Sequence, residues 1–465
     1  MKSVDVTIDG QIYVAKEGTL LIDLLIKHDL KVPYFCYHEA LGADGNCRMC
    51  MVEIEGQKRP QIACDTLIKE GMNIHTKGEM IDSVHLDVLE LELINHPVDC
   101  PVCDQAGECK LQDYYMEYGL HDSYISKDEK VKHQKHIDLG SNVILDQERC
   151  VLCARCTRFT SDITKTHELG IIGRGDHARV STMPNRKLSN PYAMNVIDLC
   201  PVGAMTSRDF RFKQRVWFLT STPSICQGCA RGCSIYIDHN RPKNQDEKIY
   251  RFRPRRCDDV NGHFICDVGR LSYKGLQEGR LRVAYLKEQE SDIDRAIESY
   301  REIVDSSKGS TILLLADANL YLEELERIVE YAQSIGASVA TPIKSYIDEE
   351  FGDEWLRSSM RASNAKAIEK LGITTELPKG DISLLISFNH PDADRIRADR
   401  VISLQTHLDI VDRYDVTLPL ATYVESSGTL INIDGIEQYS PKVITPNDPI
   451  PTVVEWIDRV EGGAI

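Results

Sequence analysis

Cys150-Val-Leu-Cys153-Ala-Arg-Cys156-Thr-Arg-Phe-Thr160-Ser161 is the stretch on which the reading of this chain turns. C-x2-C-x2-C sets three thiolates on one tight turn, which suits three corners of an iron–sulfur cubane better than a zinc tetrahedron. A cubane needs a fourth ligand, and the nearest cysteine downstream is Cys200, followed by Pro201. All 16 cysteines lie between Cys36 and Cys266, and the last 199 residues hold none. Met1 runs straight into an alternating strand pattern without a leader. The expectation is therefore a reducing compartment, with thiols used as metal or redox ligands and not as disulfides. No apolar run reaches the roughly 18 residues that would suggest a membrane span. The formal charge is −17, and residues 267–465, with 21 basic and 35 acidic side chains, carry −14 of it. A net acidic balance argues against general nucleic-acid affinity. A solvated surface is the ordinary explanation of the acidic tail.

Thr160-Ser161 stands where a bacterial ferredoxin would have Cys-Pro. In two-cluster ferredoxins the fourth cysteine of one run ligates the other run's cluster, so Cys200 can complete the Cys150, Cys153, Cys156 cubane. Counting back from Cys200 by the same spacing, the ligand positions of a second cluster fall on Val196, Ala193 and Asn190. None of these binds iron. The segment reads as a two-cluster ferredoxin unit that keeps one [4Fe-4S] centre.

Three further groups flank it. Cys36, Cys47, Cys50 and Cys64 follow two alternating segments, 4–9 and 11–15, joined at Asp9-Gly10, a dipeptide that favours a hairpin. Thr19 is expected to cap a helix whose apolar face is Leu20, Leu21, Leu24 and Leu25. Strand, turn, strand, helix and a long cysteine loop is the order of a β-grasp ferredoxin with a four-thiolate [2Fe-2S] site. The C-x10-C-x2-C spacing departs from the plant-type C-x4-C-x2-C. His96, Cys100, Cys103 and Cys109 form the next group. Three cysteines there leave a cubane one ligand short, and His96 is the nearest donor; a neutral imidazole in place of a thiolate raises the potential. Last come Cys226, Cys229 and Cys233, whose C-x2-C-x3-C spacing takes its fourth ligand from Cys257 or Cys266.

This series resembles the large iron–sulfur subunit (the G-type, 75-kDa subunit) of respiratory NADH:quinone oxidoreductase, complex I, over roughly the first 275 residues. The resemblance implies one [2Fe-2S] and three [4Fe-4S] clusters. Electrons from a partner subunit that binds NADH and FMN would pass through the Cys36, Cys150 and His96 groups to quinone-side iron–sulfur subunits, with the Cys226 group off that path. It selects Cys266 over Cys257, because Asn261-Gly-His-Phe-Ile-Cys266-Asp-Val-Gly-Arg270 looks like the family's final ligand segment. The longer gap before Cys266 keeps Cys257 as the alternative. It also implies a peripheral position on the cytoplasmic side of the bacterial inner membrane, with indirect membrane attachment.

In the tail, 311–315, 382–387 and 401–404 read as buried strands and 322–331 as an amphipathic helix, an α/β pattern. Asp415-Val-Thr-Leu-Pro-Leu and Glu425-Ser-Ser-Gly-Thr-Leu-Ile-Asn resemble molybdopterin oxidoreductases, but the tail is far shorter than a cofactor-wrapping domain. Val268 also replaces the Lys those enzymes tend to carry. The domains expected are a β-grasp [2Fe-2S] ferredoxin (1–77), a His/Cys [4Fe-4S] segment (78–118), a ferredoxin-like [4Fe-4S] domain (119–218), a molybdopterin-oxidoreductase-type [4Fe-4S] domain (219–275) and a truncated α/β domain without molybdenum (276–465). The whole is multidomain, α+β and then α/β. Gly170-Ile-Ile-Gly-Arg-Gly is not a dinucleotide fingerprint and reads as a flexible turn. No residue is required as a catalytic acid or nucleophile. The competing readings are an iron–sulfur subunit of a soluble NAD-linked hydrogenase or formate dehydrogenase, and a zinc-bound structural protein.

Overall fold

Asp9 and Gly10 both take positive φ, 49° and 82°. That conformation closes the two-residue hairpin between β1 (Ser3–Ile8) and β2 (Gln11–Lys16), which pair antiparallel. The computed structural model describes residues 2–462 apart from 120, 121, 124, 127, 241–247, 409–413 and 447. It divides into two units, Met1–Trp217 and Phe218–Ile465.

In the first unit, α1 (Leu21–Lys27) follows the hairpin, then β3 (Met51–Ile54), β4 (Gln61–Ile62) and β5 (Asn73–His75). The five strands are ordered β2-β1-β5-β3-β4, with β1 and β5 parallel. Leu21, Ile22, Leu24 and Leu25 of α1 pack with Val4, Val6, Ile8 and Val52 in one core, so the α+β grasp follows from period-2 and helical patterning. Thr19 does not cap α1. Its N–H bonds the Lys16 carbonyl and its own carbonyl receives the Ile68 N–H, while Leu20, in extended backbone, is the N-cap without a side-chain bond. The backbone of Thr19 is used to close the turn, and the helix begins one residue later.

Next come α2 (Glu79–Leu93) and α3 (Lys110–Tyr118), then β6 (Ile137–Gly140) and β7 (Val143–Leu145). A short helical turn, α4 (Arg155–Arg158), runs on as a π-helical turn, Phe159–Ile163. After it stand β8 (Leu169–Ile172), β9 (Arg179–Thr182), α5 (Asn195–Leu199) and β10 (Met205–Ser207). β10, β7 and β6 form one small sheet. β8 and β9 form a separate hairpin, which corrects the reading of 170–175: Gly170, Ile171 and Ile172 are strand, and only the segment from Gly173, at φ 78°, turns.

The second unit opens with an antiparallel sheet of β11 (Leu219–Ile225), β12 (Ser234–Asn240) and β13 (Ile249–Pro254), followed by α6 (Asp267–Leu271). Its α/β part contains β14 (Ala284–Leu286), β15 (Gln289–Ser291), α7 (Ile293–Ser306), β16 (Ile312–Ala316), α8 (Leu322–Ile335), β17 (Ser338–Ala340) and α9 (Ala365–Lys370). It continues with β18 (Leu384–Phe388), β19 (Arg400–Gln405), β20 (Val416–Pro419), a hairpin of β21 (Gly428–Ile431) with β22 (Glu437–Ser440), and α10 (Val453–Glu461). Seven strands run β15-β14-β20-β19-β18-β16-β17, and β17, β16, β18, β19 and β20 are mutually parallel. Parallel strands are covered on both faces, which is why β16 reads as an unbroken apolar run and β18 as one interrupted only by the buried Ser387. Leu314 and Ile386 face one buried cluster while Leu313 and Leu385 face another.

Candidate metal centres

Loops and turns, more than the sheets, bring the cysteines together. Cys36 ends the loop after α1; Cys47 and Cys50 lie on a turn made tight by positive φ at Gly45 (76°) and Arg48 (54°); Cys64 lies on the turn Ala63–Asp65. All four are buried. Cys47 Sγ is 3.3 Å from Cys36 Sγ. The sulfurs of Cys36 and Cys50 are held low by hydrogen bonds from Cys47 and Cys64 respectively, whose own thiols are pushed up by the same contacts. The N–H groups of Cys47 and Gly45 point at the Cys36 sulfur. Among the described residues no three such donors converge on a single metal ion; four buried sulfurs competing for protons suit instead a cluster, whose ligands are spread over several irons.

His96, Cys100, Cys103 and Cys109 line one cavity with Leu93, Leu111, Tyr115, Arg149 and Gly203. Burial brings His96 down to about 4, so its imidazole is neutral and its ring nitrogen available as a ligand. Burial raises Cys103, and raises Cys109 to about 12. The loop is pinned from outside. Lys130 Nζ donates to the carbonyls of Leu93, Ile94 and His96, each at 2.9 Å, and Arg149 grips Asp99 through Nε at 3.0 Å and Nη2 at 2.8 Å.

Cys150, Cys153 and Cys156 turn inward because Leu152 and Ala154 between them take positive φ, 48° and 62°. Neither is glycine, and such a conformation costs on the order of 1 kcal/mol per residue. Cys200 caps α5, and the N–H groups of Val202, Met205 and Ala204 point at its sulfur. Burial raises all four thiols, Cys153 to about 12, and Cys200 adds to the rise in each of the other three. Asn190, Ala193 and Val196 are buried, with the Asn190 amide tied to Glu168. Thr160, also buried, donates to the Thr157 carbonyl at 2.9 Å.

In the second unit, Cys226, Cys229, Cys233 and Cys266 gather. The Cys226 N–H bonds the Cys233 carbonyl at 2.8 Å, and burial followed by mutual repulsion raises Cys226, Cys233 and Cys266, the last to about 11. A Cβ on Gly269 would lie 3.0 Å from Cys226 Sγ and 3.3 Å from Cys266 Sγ. Cys257 is half-buried, and its backbone closes a turn with Gly262 through bonds of 2.8 and 3.0 Å. The leading charges acting on Cys226, Cys233 and Cys266 come from one another, from Cys229 and from nearby charged side chains, and do not include Cys257. Cys266→Ala is therefore expected to abolish the iron of this group, and Cys257→Ala to leave it intact, as judged by iron and acid-labile sulfide analysis.

Within the first unit the three groups are neighbours. The Asn46 amide, next to Cys47, donates to the Leu152 carbonyl, next to Cys153, at 3.2 Å, and Cys153 feels the Cys36 charge. On the other side the Lys110 N–H, next to Cys109, bonds the Pro201 carbonyl, next to Cys200, at 3.0 Å, and Cys109 feels the Cys200 charge. The Cys150 group thus lies between the other two. Asn46, Lys130, Arg149 and Gly203 were not singled out in the sequence, where nothing but adjacency to a cysteine marks two of them.

Buried thiolates and one neutral imidazole, with backbone N–H groups aimed at sulfur and glycines leaving room, fit iron–sulfur clusters. When bound, such clusters supply one-electron transfer. The fold and these donor sets define a multi-cluster iron–sulfur protein built from ferredoxin-like and molybdopterin-oxidoreductase-like domains. Four family models match in order: a 2Fe-2S iron-sulfur cluster binding domain over residues 1–79, an NADH-ubiquinone oxidoreductase-G iron-sulfur binding region over 87–123, the ferredoxin-like domain of NADH-quinone oxidoreductase subunit 3 over 140–206, and a molybdopterin oxidoreductase Fe4S4 domain over 219–277. In sequence the chain is similar to the G-type (75 kDa) subunits of NADH-quinone oxidoreductases.

The G-type NADH-quinone oxidoreductase subunit of Rickettsia bellii is 34% identical over 72% of this chain and 49% of its own length. The NADH-ubiquinone oxidoreductase 75 kDa subunit of Reclinomonas americana is 33% identical over 83% of this chain and 56% of its own length. The chain spans about half the length of these curated relatives. A crystal structure of an NAD+-reducing [NiFe]-hydrogenase in the H2-reduced state matches 46% of this chain and 92% of its own at 26% identity, with a TM-score of 0.42, too loose a likeness to carry an argument. Among the described residues no helix is long and apolar enough to cross a membrane.

Proposed function

We propose that this chain is an electron wire in an NADH:quinone oxidoreductase. A partner subunit that binds NADH and FMN delivers electrons, and quinone-side iron–sulfur subunits receive them. The observation that carries the reading is the row of three adjoining sulfur-donor sets, Cys36 group, Cys150 group and His96 group, each joined to the next by a hydrogen bond from a residue beside a ligand to a carbonyl beside a ligand. Cys36, Cys47, Cys50 and Cys64 would hold a [2Fe-2S] cluster. Cys150, Cys153, Cys156 and Cys200 would hold one [4Fe-4S] cluster, His96, Cys100, Cys103 and Cys109 a second, and Cys226, Cys229, Cys233 and Cys266 a third, off the main path.

This chain's own part is to bury the donors, fix their spacing and set their electrostatics; no side chain is needed as an acid, base or nucleophile. The α/β domain is structural in this reading, without molybdenum. Its buried Asp317, at the carboxyl end of β16, is engaged by Tyr346 and Asn389, both at 2.9 Å. The complex would sit peripherally on the cytoplasmic side of a bacterial inner membrane, attached through its partners.

Anaerobic purification with native partners should give a brown protein with iron, acid-labile sulfide and one [2Fe-2S] and three [4Fe-4S] EPR signals. A colourless, zinc-loaded product would overturn the proposal in favour of a zinc-stapled scaffold. Replacing His96 by Cys should keep a cubane and lower its potential by on the order of 100 mV, since a thiolate adds a negative charge that imidazole lacks. An EPR-monitored titration with an unchanged midpoint would exclude His96 as a ligand.

A further inference from the structure

We propose that the Arg155 guanidinium is the counter-charge of the Cys150-group cluster and holds that cluster's reduction potential up. The proposal rests on the reading that Cys150, Cys153, Cys156 and Cys200 hold a [4Fe-4S] centre. Arg155 lies in the short turn α4, between two of these cysteines, and is only 4% exposed. Nη1 donates to the Leu199 carbonyl at 3.1 Å, next to Cys200, and Nη2 to the Tyr37 carbonyl, next to Cys36. Its Nε is buried with no hydrogen-bond partner among the described residues. The guanidinium also lies over the Tyr34 ring, 5.9 Å from its centre.

One turn on, Arg158 reaches the carbonyls of Cys36 at 3.1 Å, Leu41 and Gly42 at 2.9 Å. Among the described residues no carboxylate stands within ion-pair distance of either arginine. This is unusual for Arg155, because a buried charge is costly unless an opposite charge and hydrogen bonds compensate it. By contrast, Arg149, equally buried, has Asp99 at 2.8 Å and Asp146 at 3.4 Å. Carbonyl oxygens satisfy two of the Arg155 nitrogens without neutralising it. Its charge acts on the sulfurs of Cys153 and Cys200, favouring the thiolate form of each.

A guanidinium is a planar, delocalised cation suited to a buried site lined by carbonyls and sulfur. The Arg155 positive charge thus offsets the negative charge of an added electron through its field.

The test is EPR-monitored redox titration of the full chain carrying its clusters, with Arg155→Lys, Arg155→Gln and Arg155→Met compared and the His96-group signal as internal standard. Gln and Met should make the reduction equilibrium of the Cys150-group cluster at least tenfold less favourable, a fall of about 59 mV for a one-electron couple. Lys should restore most of it. Loss of the cluster in Gln and Met with retention in Lys would equally support a required positive charge. Equal shifts in all three variants, no shift in any, or loss of the cluster in all three would overturn the proposal, leaving Arg155 a packing residue. If the unsubstituted chain shows no Cys150-group signal, the failure belongs to the cluster assignment and not to Arg155.

Discussion

Cys200→Ala is expected to remove the EPR signal of the Cys150-group cluster while the Cys36-group and Cys226-group signals persist. Cys200 is 44 residues from Cys156 in the chain, yet its charge acts on Cys150, Cys153 and Cys156 alike, so the four sulfurs share one site. Alanine leaves three thiolates on a turn that already bears positive φ at Leu152 and Ala154. Without the fourth bond nothing repays that conformation. The N–H groups of Val202, Met205 and Ala204, now aimed at the Cys200 sulfur, would also lose their acceptor. Because the Cys150 group lies between the other two first-unit groups, electron transfer from the Cys36 group to the His96 group should fall by orders of magnitude. Freeze-quench EPR after reduction reads both effects. A retained cubane signal with normal transfer would remove Cys200 from the ligand set.

The elements legible in the sequence were those set by short-range rules. Asp9-Gly10 declared its hairpin because positive φ at both positions is a local demand, and β16, β18 and β19 declared themselves because parallel strands are apolar on both faces. Thr19 misled because a capping side chain is a local preference, whereas its backbone was claimed by Lys16 and by the distant Ile68. Gly170 to Ile172 were read as a turn, since two glycines outweighed the β-branched pair between them; pairing with β9 decided otherwise.

Cysteine spacing revealed which sulfurs form local triads. It could not show the order of the groups in space, which depends on single bonds such as Asn46 to Leu152 and Lys110 to Pro201. Arg155 stood inside the most informative motif and carried no signal of burial, because a charged residue in a sequence reads as solvated until its surroundings are seen. Its burial is a property of the assembled site, where sulfur takes the role a carboxylate would otherwise play.

Gly203→Ala should abolish the His96-group cluster, an effect out of proportion to one methyl group. A Cβ at this position would overlap Cys103 Sγ and approach Gln105 Cβ to 3.2 Å and Arg149 Cδ to 3.6 Å. Gly203 has no positive φ, so alanine suits its backbone and the whole consequence is steric. Relief could come only from the sulfur, because Arg149 is fixed to Asp99 by two hydrogen bonds and Gln105 lies on the same cysteine loop. A free thiol would rotate about its single side-chain torsion, and overpacking of that kind costs about 1–3 kcal/mol. A thiolate ligand has no such freedom, since turning it away breaks an iron bond. The variant therefore distinguishes the two roles of Cys103. Loss of the His96-group signal, with the Cys36-group spectrum unchanged and thermal unfolding lowered by only a few degrees, is the result expected of a ligand. A full His96-group signal with the same small loss of stability would make Cys103 a bystander.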